Sequence, residues 1–146
     1  MALRRAVDTI YADDLAAGQP AVASRERGGG WYAARNVTDG DPTTYWATDD
    51  GDITGAVVVS LGGMHAINRV VIAEHIELGQ RVRRFRIDVP LDGAWVTIGS
   101  GTTVGEQRIV QTETVVTDQV AIIIEDARAC PALSLIHISE PTRHRR

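Results

Sequence analysis

Val82-Arg-Arg-Phe-Arg-Ile-Asp-Val-Pro-Leu-Asp-Gly-Ala-Trp-Val-Thr-Ile98 decides the fold class of this 146-residue chain. Phe85, Ile87 and Val89 alternate with Arg84, Arg86 and Asp88, a period of two that gives a strand one buried and one wetted face. Leu91-Asp92-Gly93-Ala94 then carries an Asp-Gly pair, the residues that a tight hairpin turn needs for its positive φ angles. Trp95, directly after the turn, is expected to pack rather than to bind a ligand. Outward from this hairpin the texture repeats. Strand-like runs are predicted at 56–61, 67–74, 107–111, 113–116 and 119–125, with the hairpin arms at 82–89 and 94–98. Gly, Asp, Asn and Pro separate them, and Val120-Ala-Ile-Ile-Ile124 reads as an interior strand. Short strands at this spacing predict an all-β sandwich or jelly roll.

The N-terminus differs. Leu3, Val7, Ile10, Tyr11 and Leu15 fall at helical spacing with Arg4, Arg5, Asp8 and Asp13 on the opposite face, and Gly18 and Pro20 close the run. One short helix is therefore expected over residues 1–18. Composition, 44% hydrophobic and 23% charged, fits one globular domain with a real core. All 15 basic residues are Arg, the net charge is −4 and no basic run precedes the last few positions, so neither nucleic acid nor an anionic membrane is an expected partner. No apolar run reaches the ~20 residues that span a bilayer, and the opening Met-Ala-Leu-Arg-Arg does not read as an export signal. Cys130 stands alone, which excludes an internal disulfide framework and offers no zinc spacing; a small buried hydrophobe is the expectation.

Three loops bear on function. Asn36-Val-Thr-Asp-Gly-Asp-Pro-Thr-Thr-Tyr-Trp-Ala-Thr48 crowds oxygen donors around Gly40 and Pro42. It reads either as a loop for a hard cation or as a surface turn whose aspartates bond their own backbone. Arg25-Glu-Arg-Gly-Gly-Gly-Trp-Tyr32 offers aromatic faces for a sugar ring, or aromatics tucked back on the fold. Glu74-His-Ile-Glu-Leu-Gly-Gln-Arg81 offers Glu74, His75, Gln80 and Arg81 as hydrogen-bonding groups for vicinal hydroxyls; the alternative is that Glu74 and Arg81 simply pair across the connection. Hydrolase, zinc-protease and nucleotide-loop motifs are absent, and the acidic pair Asp49-Asp50 reads as solvated, so catalysis by this segment is not expected.

Several of these runs resemble a known family. Asn36 to Gly51 looks like the calcium loop of discoidin-type sandwiches (coagulation factor 5/8 type C, carbohydrate-binding family 32). Asn68 to Val82, Gly101-Thr-Thr-Val-Gly105 and Ala127-Arg-Ala-Cys-Pro-Ala132 are similar to the C-terminal sandwich of family 29 α-L-fucosidases. The resemblance covers residues 3–132 and implies an all-β, discoidin-type jelly-roll β-sandwich over 19–132, preceded by one short interdomain helix over 1–18 that leads from a catalytic barrel. It further implies a structural calcium ion held by the Asn36 carbonyl, the Asp39 and Asp41 side chains and Thr44. Two more ligands would come from a Ser-Glu-like pair near the C-terminus.

There the chain departs from the family. Leu135 stands where the glutamate is expected, the metal site is expected to be incomplete, and the last strand is expected to be absent. Leu133 to Arg143, Leu-Ser-Leu-Ile-His-Ile-Ser-Glu-Pro-Thr-Arg, matches the in-frame translation of a transposase-type sequencing-library adapter, which makes 133–146 a non-native tail by expectation. The function implied is that of an accessory domain of a retaining α-L-fucosidase, with the barrel of the parent chain and a fucosylated glycan as partners and no catalytic residue of its own. A free-standing calcium-dependent discoidin-type lectin and a structural module without a sugar site are the alternatives.

Overall fold

The computed structural model describes residues 14–141. Most of the helix expected over residues 1–18 lies outside the described residues; residues 15–18 form a turn, in which the Asp14 carboxylate accepts the Ala16 N–H at 2.9 Å.

The strands of the described residues all pair antiparallel, with short 3₁₀ turns at Ala34–Val37 and Ile76–Leu78. β1 (Ala21–Ala23) pairs with β3 (Gly55–Glu74), β2 (Trp46–Ala47) with β7 (Ala132–Ser139), and β4 (Val82–Leu91) with both β5 (Ala94–Gly101) and β6 (Arg108–Ala127). The strand order is β2-β7-β3-β6-β4-β5. The hairpin forms as the Asp-Gly pair predicts, with positive φ at Asp92 and Gly93. Phe85, Ile87 and Val89 are fully buried, as the alternation requires, and so are Val120 and Ile122 of the interior strand. Asp88 departs from the pattern: it is buried on the outer face, where it accepts the Thr97 hydroxyl at 2.7 Å and pairs with Arg86 at 3.2 Å.

Two boundaries differ from the sequence reading. The runs at 56–61 and 67–74 are one strand, β3, and those at 107–111, 113–116 and 119–125 are one strand, β6. Irregularities in register, not chain breaks, explain the apparent gaps. The ladder shifts between Ser60 and His65 and again between Ile67 and Arg69. Inward parity is unchanged across the first shift, with Val57, Val59, Leu61 and Ile67 all facing the core, and switches across the second to Val70 and Ile72. Long strands that bend at such points can serve both layers of a sandwich.

The expectation that no strand follows residue 132 is overturned. Ala132 to Ser139 form β7, bonded to β2 on one side and to β3 on the other, with Leu133, Ile136 and Ile138 fully buried. The alternating Leu-Ser-Leu-Ile-His-Ile-Ser run has a strand's period and β-branched residues, so it fills the slot whatever the origin of its codons. His137, also buried, lies 3.5 Å through Nδ1 from Asp14 Oδ2.

Candidate functional site

The loops at one end of the sheet make two adjoining clefts. Trp46 anchors them: it is fully buried, and its indole N–H donates to the Arg25 carbonyl at 2.8 Å, tying the 25–32 loop to the 36–48 loop. Glu26 accepts the Ala34 N–H at 2.8 Å, and Asn36 donates to the carbonyls of Trp31 and Tyr45 at 2.8 and 3.0 Å. These bonds fix the glycine-rich loop with Tyr32 turned back against Tyr45, ring centroids 5.1 Å apart. Trp31 instead projects into solvent, 79% exposed.

The first cleft, about 630 Å³, runs between Gly40-Asp41-Pro42 and Ser134-Leu135, with His75, Ile76 and Glu77 on its wall. The second, about 380 Å³, is lined by Tyr32, Tyr45, Arg27, Asp50, Arg81 and Cys130, among others. A stacked pair separates them: His75 lies on Tyr45 at 4.2 Å and 20°. His75 Nε2 also faces Glu77 at 3.5 Å, and burial, acting first, raises the Tyr45 phenol above its ordinary pKa.

The candidate sugar residues separate. Glu74 is buried at 3% exposure, and its carboxylate accepts three backbone amides: Arg81 at 2.7 Å, Val82 at 3.1 Å and Gly105 at 2.8 Å. The alternative reading, a Glu74–Arg81 pair, thus takes the form of a bond to the Arg81 backbone N–H rather than to its guanidinium. That guanidinium turns into the second cleft, where Nη1 donates to the Cys130 carbonyl at 2.9 Å and approaches Sγ at 3.2 Å. Gln80 lies over Gly105, whose missing Cβ leaves it room. His75 and Arg81 thus reach the clefts, whereas the Glu74 carboxylate holds the loop.

Of the candidate metal residues, Asp41 lines the first cleft, with Asp39 and Thr44 bonded beside it, while buried Asn36 braces the loop through its side-chain amide. Thr44 Oγ1 lies 2.6 Å from Asp39 Oδ2 and 3.1 Å from the Asp41 carbonyl. Asp39 Oδ1 accepts the Asp41 N–H, and Asp41 Oδ1 accepts the Thr43 N–H and hydroxyl, which lowers the Asp41 pKa. The aspartates therefore do bond their own turn, as the plain-turn alternative has it, while presenting an oxygen cluster. Among the described residues no group of three His, Cys, Asp or Glu side chains is arranged for a metal ion. Ser134 and Leu135 line the same cleft as Asp41.

Sequence reasoning passed over three cleft residues. Arg27 ion-pairs with Asp50, which raises the Arg27 pKa and lowers that of Asp50; Arg27 Nη2 also reaches Cys130 Sγ at 3.4 Å. Cys130 is buried, as expected, but under two guanidiniums. Tyr45 is an aromatic wall rather than only an anchor. The signal available was Arg-Glu-Arg before Gly-Gly-Gly-Trp-Tyr, a cationic pair beside an aromatic loop.

Comparison with known proteins adds the following. The F5/8 type C domain family matches residues 20–133. A rice (Oryza sativa subsp. japonica) protein provisionally named alpha-L-fucosidase 1 is 33% identical over 133 residues, 89% of this chain and 26% of its own length. The chain thus spans about a quarter of the curated relatives it matches, 26% in each of two. The crystal structure of a Ruminococcus gnavus family GH29 fucosidase in complex with fucose superposes with a TM-score of 0.84 at 28% identity, over 94% of this chain and 28% of that one. Chitosan-binding module 1 of a Paenibacillus chitosanase/glucanase shares the fold at 23% identity, with a TM-score of 0.76 over 86% of this chain and 97% of the module.

Proposed function

The chain belongs to the F5/8 type C domain family and is homologous to the C-terminal region of family 29 α-L-fucosidases, and from that membership we propose that it is an accessory carbohydrate-binding module of such an enzyme. In this reading a catalytic barrel elsewhere in the parent chain hydrolyses terminal α-L-fucosyl linkages, and this module holds the glycan. The observation that carries the reading is the Tyr32–Tyr45 cleft, in which aromatic faces stand beside Arg27, Asp50 and Arg81. Sugars present an apolar ring face and a rim of hydroxyls, and such a wall with a charged rim matches both.

The cleft has no equipment for glycoside hydrolysis of its own. A retaining glycosidase uses two carboxyl groups about 5 Å apart, whereas Asp50 is the one carboxylate lining this cleft among the described residues, and it is paired with Arg27. The oxygen cluster of Asp39, Asp41 and Thr44 fits a hard cation such as calcium in chemistry but offers fewer oxygens than such an ion takes, and Leu135, which lines the same cleft as Asp41, adds none. Bound there, the ion would stiffen the loop that carries Tyr45.

Titration calorimetry of the 146-residue chain with fucosylated oligosaccharides tests the reading. Binding is expected, with Tyr45→Ala weakening it at least about tenfold through the lost stacking face, and no turnover of an aryl fucoside is expected. Binding indifferent to Tyr45→Ala, or absent altogether, would refute the cleft as the sugar site.

A further inference from the structure

We propose that the Tyr32–Tyr45 cleft selects acidic sugars, with the Arg81 guanidinium, seconded by Arg27, as receptor for a carboxylate or sulfate group. The proposal rests on the carbohydrate-binding reading above and adds the chemical class of the ligand.

It starts from where Glu74 spends its charge. Of the two carboxylates in the connection that leads to Arg81, Glu74 accepts three backbone amides and Glu77 faces His75, so neither pairs with the guanidinium. Among the described residues Arg81 has no carboxylate within ion-pair distance; its described side-chain partners are the Cys130 carbonyl and sulfur. Arg27 reaches the same sulfur, 3.4 Å away against 3.2 Å for Arg81. Two guanidiniums thus meet at one point of the cleft, balanced by the single carboxylate of Asp50. The cleft carries one positive charge in excess on a chain whose net charge is −4.

Asp50 occupies the position an acidic ligand would contest. Its side chain is 90% exposed, so an anion arriving at Arg27 can displace it into water at little cost. Arg81 is half-buried and held in place by its bonds to Cys130, so its remaining N–H groups are already oriented. A planar guanidinium fork matches the two oxygens of a carboxylate or sulfate, and a charge-assisted bond is roughly twice as strong as a neutral one. Tyr45, stacked on His75 and tilted against Tyr32, supplies the face for the ring that bears the acid.

Calorimetry on the 146-residue chain at low salt, with galactotriose, trigalacturonate and a sulfated galactotriose as probes, tests this. At least one acidic probe is expected to bind about tenfold more tightly than galactotriose; whichever it is tells carboxylate from sulfate. The advantage should shrink in about 0.5 M salt, a measurement that needs no variant. Arg81→Gln should bring the acidic probes down to the affinity that the same variant shows for galactotriose, and Arg81→Lys should keep part of the preference. Equal affinity for acidic and neutral probes, or an acidic preference that survives both salt and Arg81→Gln, would overturn the selectivity and leave the cleft as a neutral-sugar site. Binding of none of the three, with fucosylated oligosaccharides equally inert, would overturn the cleft reading itself.

Discussion

Replacing Glu74 by alanine should destabilise the domain more than any other single change of a charged residue in the loops. The carboxylate lies 3% exposed at the end of β3, and its three acceptor bonds close the connection to β4 and fasten Gly105. Removing it strands up to three buried amide N–H groups, each costing about 1–3 kcal/mol when left without an acceptor. The Arg81 amide sits at the half-exposed edge and can recover a water, so roughly 3–5 kcal/mol is expected overall. Glu74→Gln separates charge from shape. A glutamine oxygen can still accept from Arg81 and Val82, but its NH2 then faces the Gly105 N–H donor to donor, so a loss of about 1–3 kcal/mol is expected. Urea titration followed by tryptophan fluorescence reads both variants, with the midpoint falling and the slope unchanged. At low denaturant, where Glu74→Gln remains folded, sugar affinity should stay within about twofold of the parent chain. A Glu74→Ala variant within about 1 kcal/mol of the parent, or a Glu74→Gln variant that keeps its stability and loses sugar binding, would refute the brace and return Glu74 to the binding site.

Ile136→Ala should cost about 2–5 kcal/mol in the same titration, because Ile136 is fully buried in a strand bonded on both sides, and deleting 133–146 should leave a chain without a cooperative transition. A cooperative transition after the deletion would show that β7 is dispensable. Calcium calorimetry should find weak binding or none, and Leu135→Glu, which offers a carboxylate to the cleft that Asp41 lines, should tighten it at least about tenfold; tight binding by the unaltered chain would contradict the incomplete cage. Asp14→Asn bears on pH. Burial raises the Asp14 pKa above 3.8, so the folded state holds this proton more firmly than the unfolded one. Its contribution is therefore greatest below 3.8 and is lost as pH rises through the elevated value. Asn keeps an acceptor for the Ala16 and Ile138 amides, and its stability should vary less with pH across that window than the parent's.

The strands were legible wherever burial on one face imposed a strict period, as at Phe85-Arg86-Ile87-Asp88-Val89, and the hairpin was legible because Asp-Gly has few other uses. Strand continuity was not. Gly62-Gly63 and Asp118 read as punctuation, yet the ladder lapses there only between Ser60 and His65 and resumes, since a register shift tolerates the residues that usually end a strand. β7 was hidden for a different reason. Its alternation is visible in Leu133 to Ser139, but the run departs from the family pattern, and a sheet slot between β2 and β3 accepts any run with the right alternation and volume.

For the site, residue types were legible and their directions were not. Glu74 and Arg81 stand at the two ends of one connection, and opposite charges there suggest a pair. The connection holds a 3₁₀ turn at Ile76–Leu78 and then Gly79 at φ 93°, which brings the Arg81 and Val82 amides, not the guanidinium, onto the carboxylate. Backbone amides outcompete the side chain because they arrive already ordered, whereas a guanidinium held in a surface pair gives up rotamer entropy for little return. The same turn lays His75 on Tyr45 from across the sheet end, a contact between residues 30 apart in sequence that no local period encodes. Acceptor and cation are thus divided between two tasks: the Glu74 carboxylate holds the loop, and that loop delivers Arg81, with no carboxylate in ion-pair distance among the described residues, to the aromatic cleft.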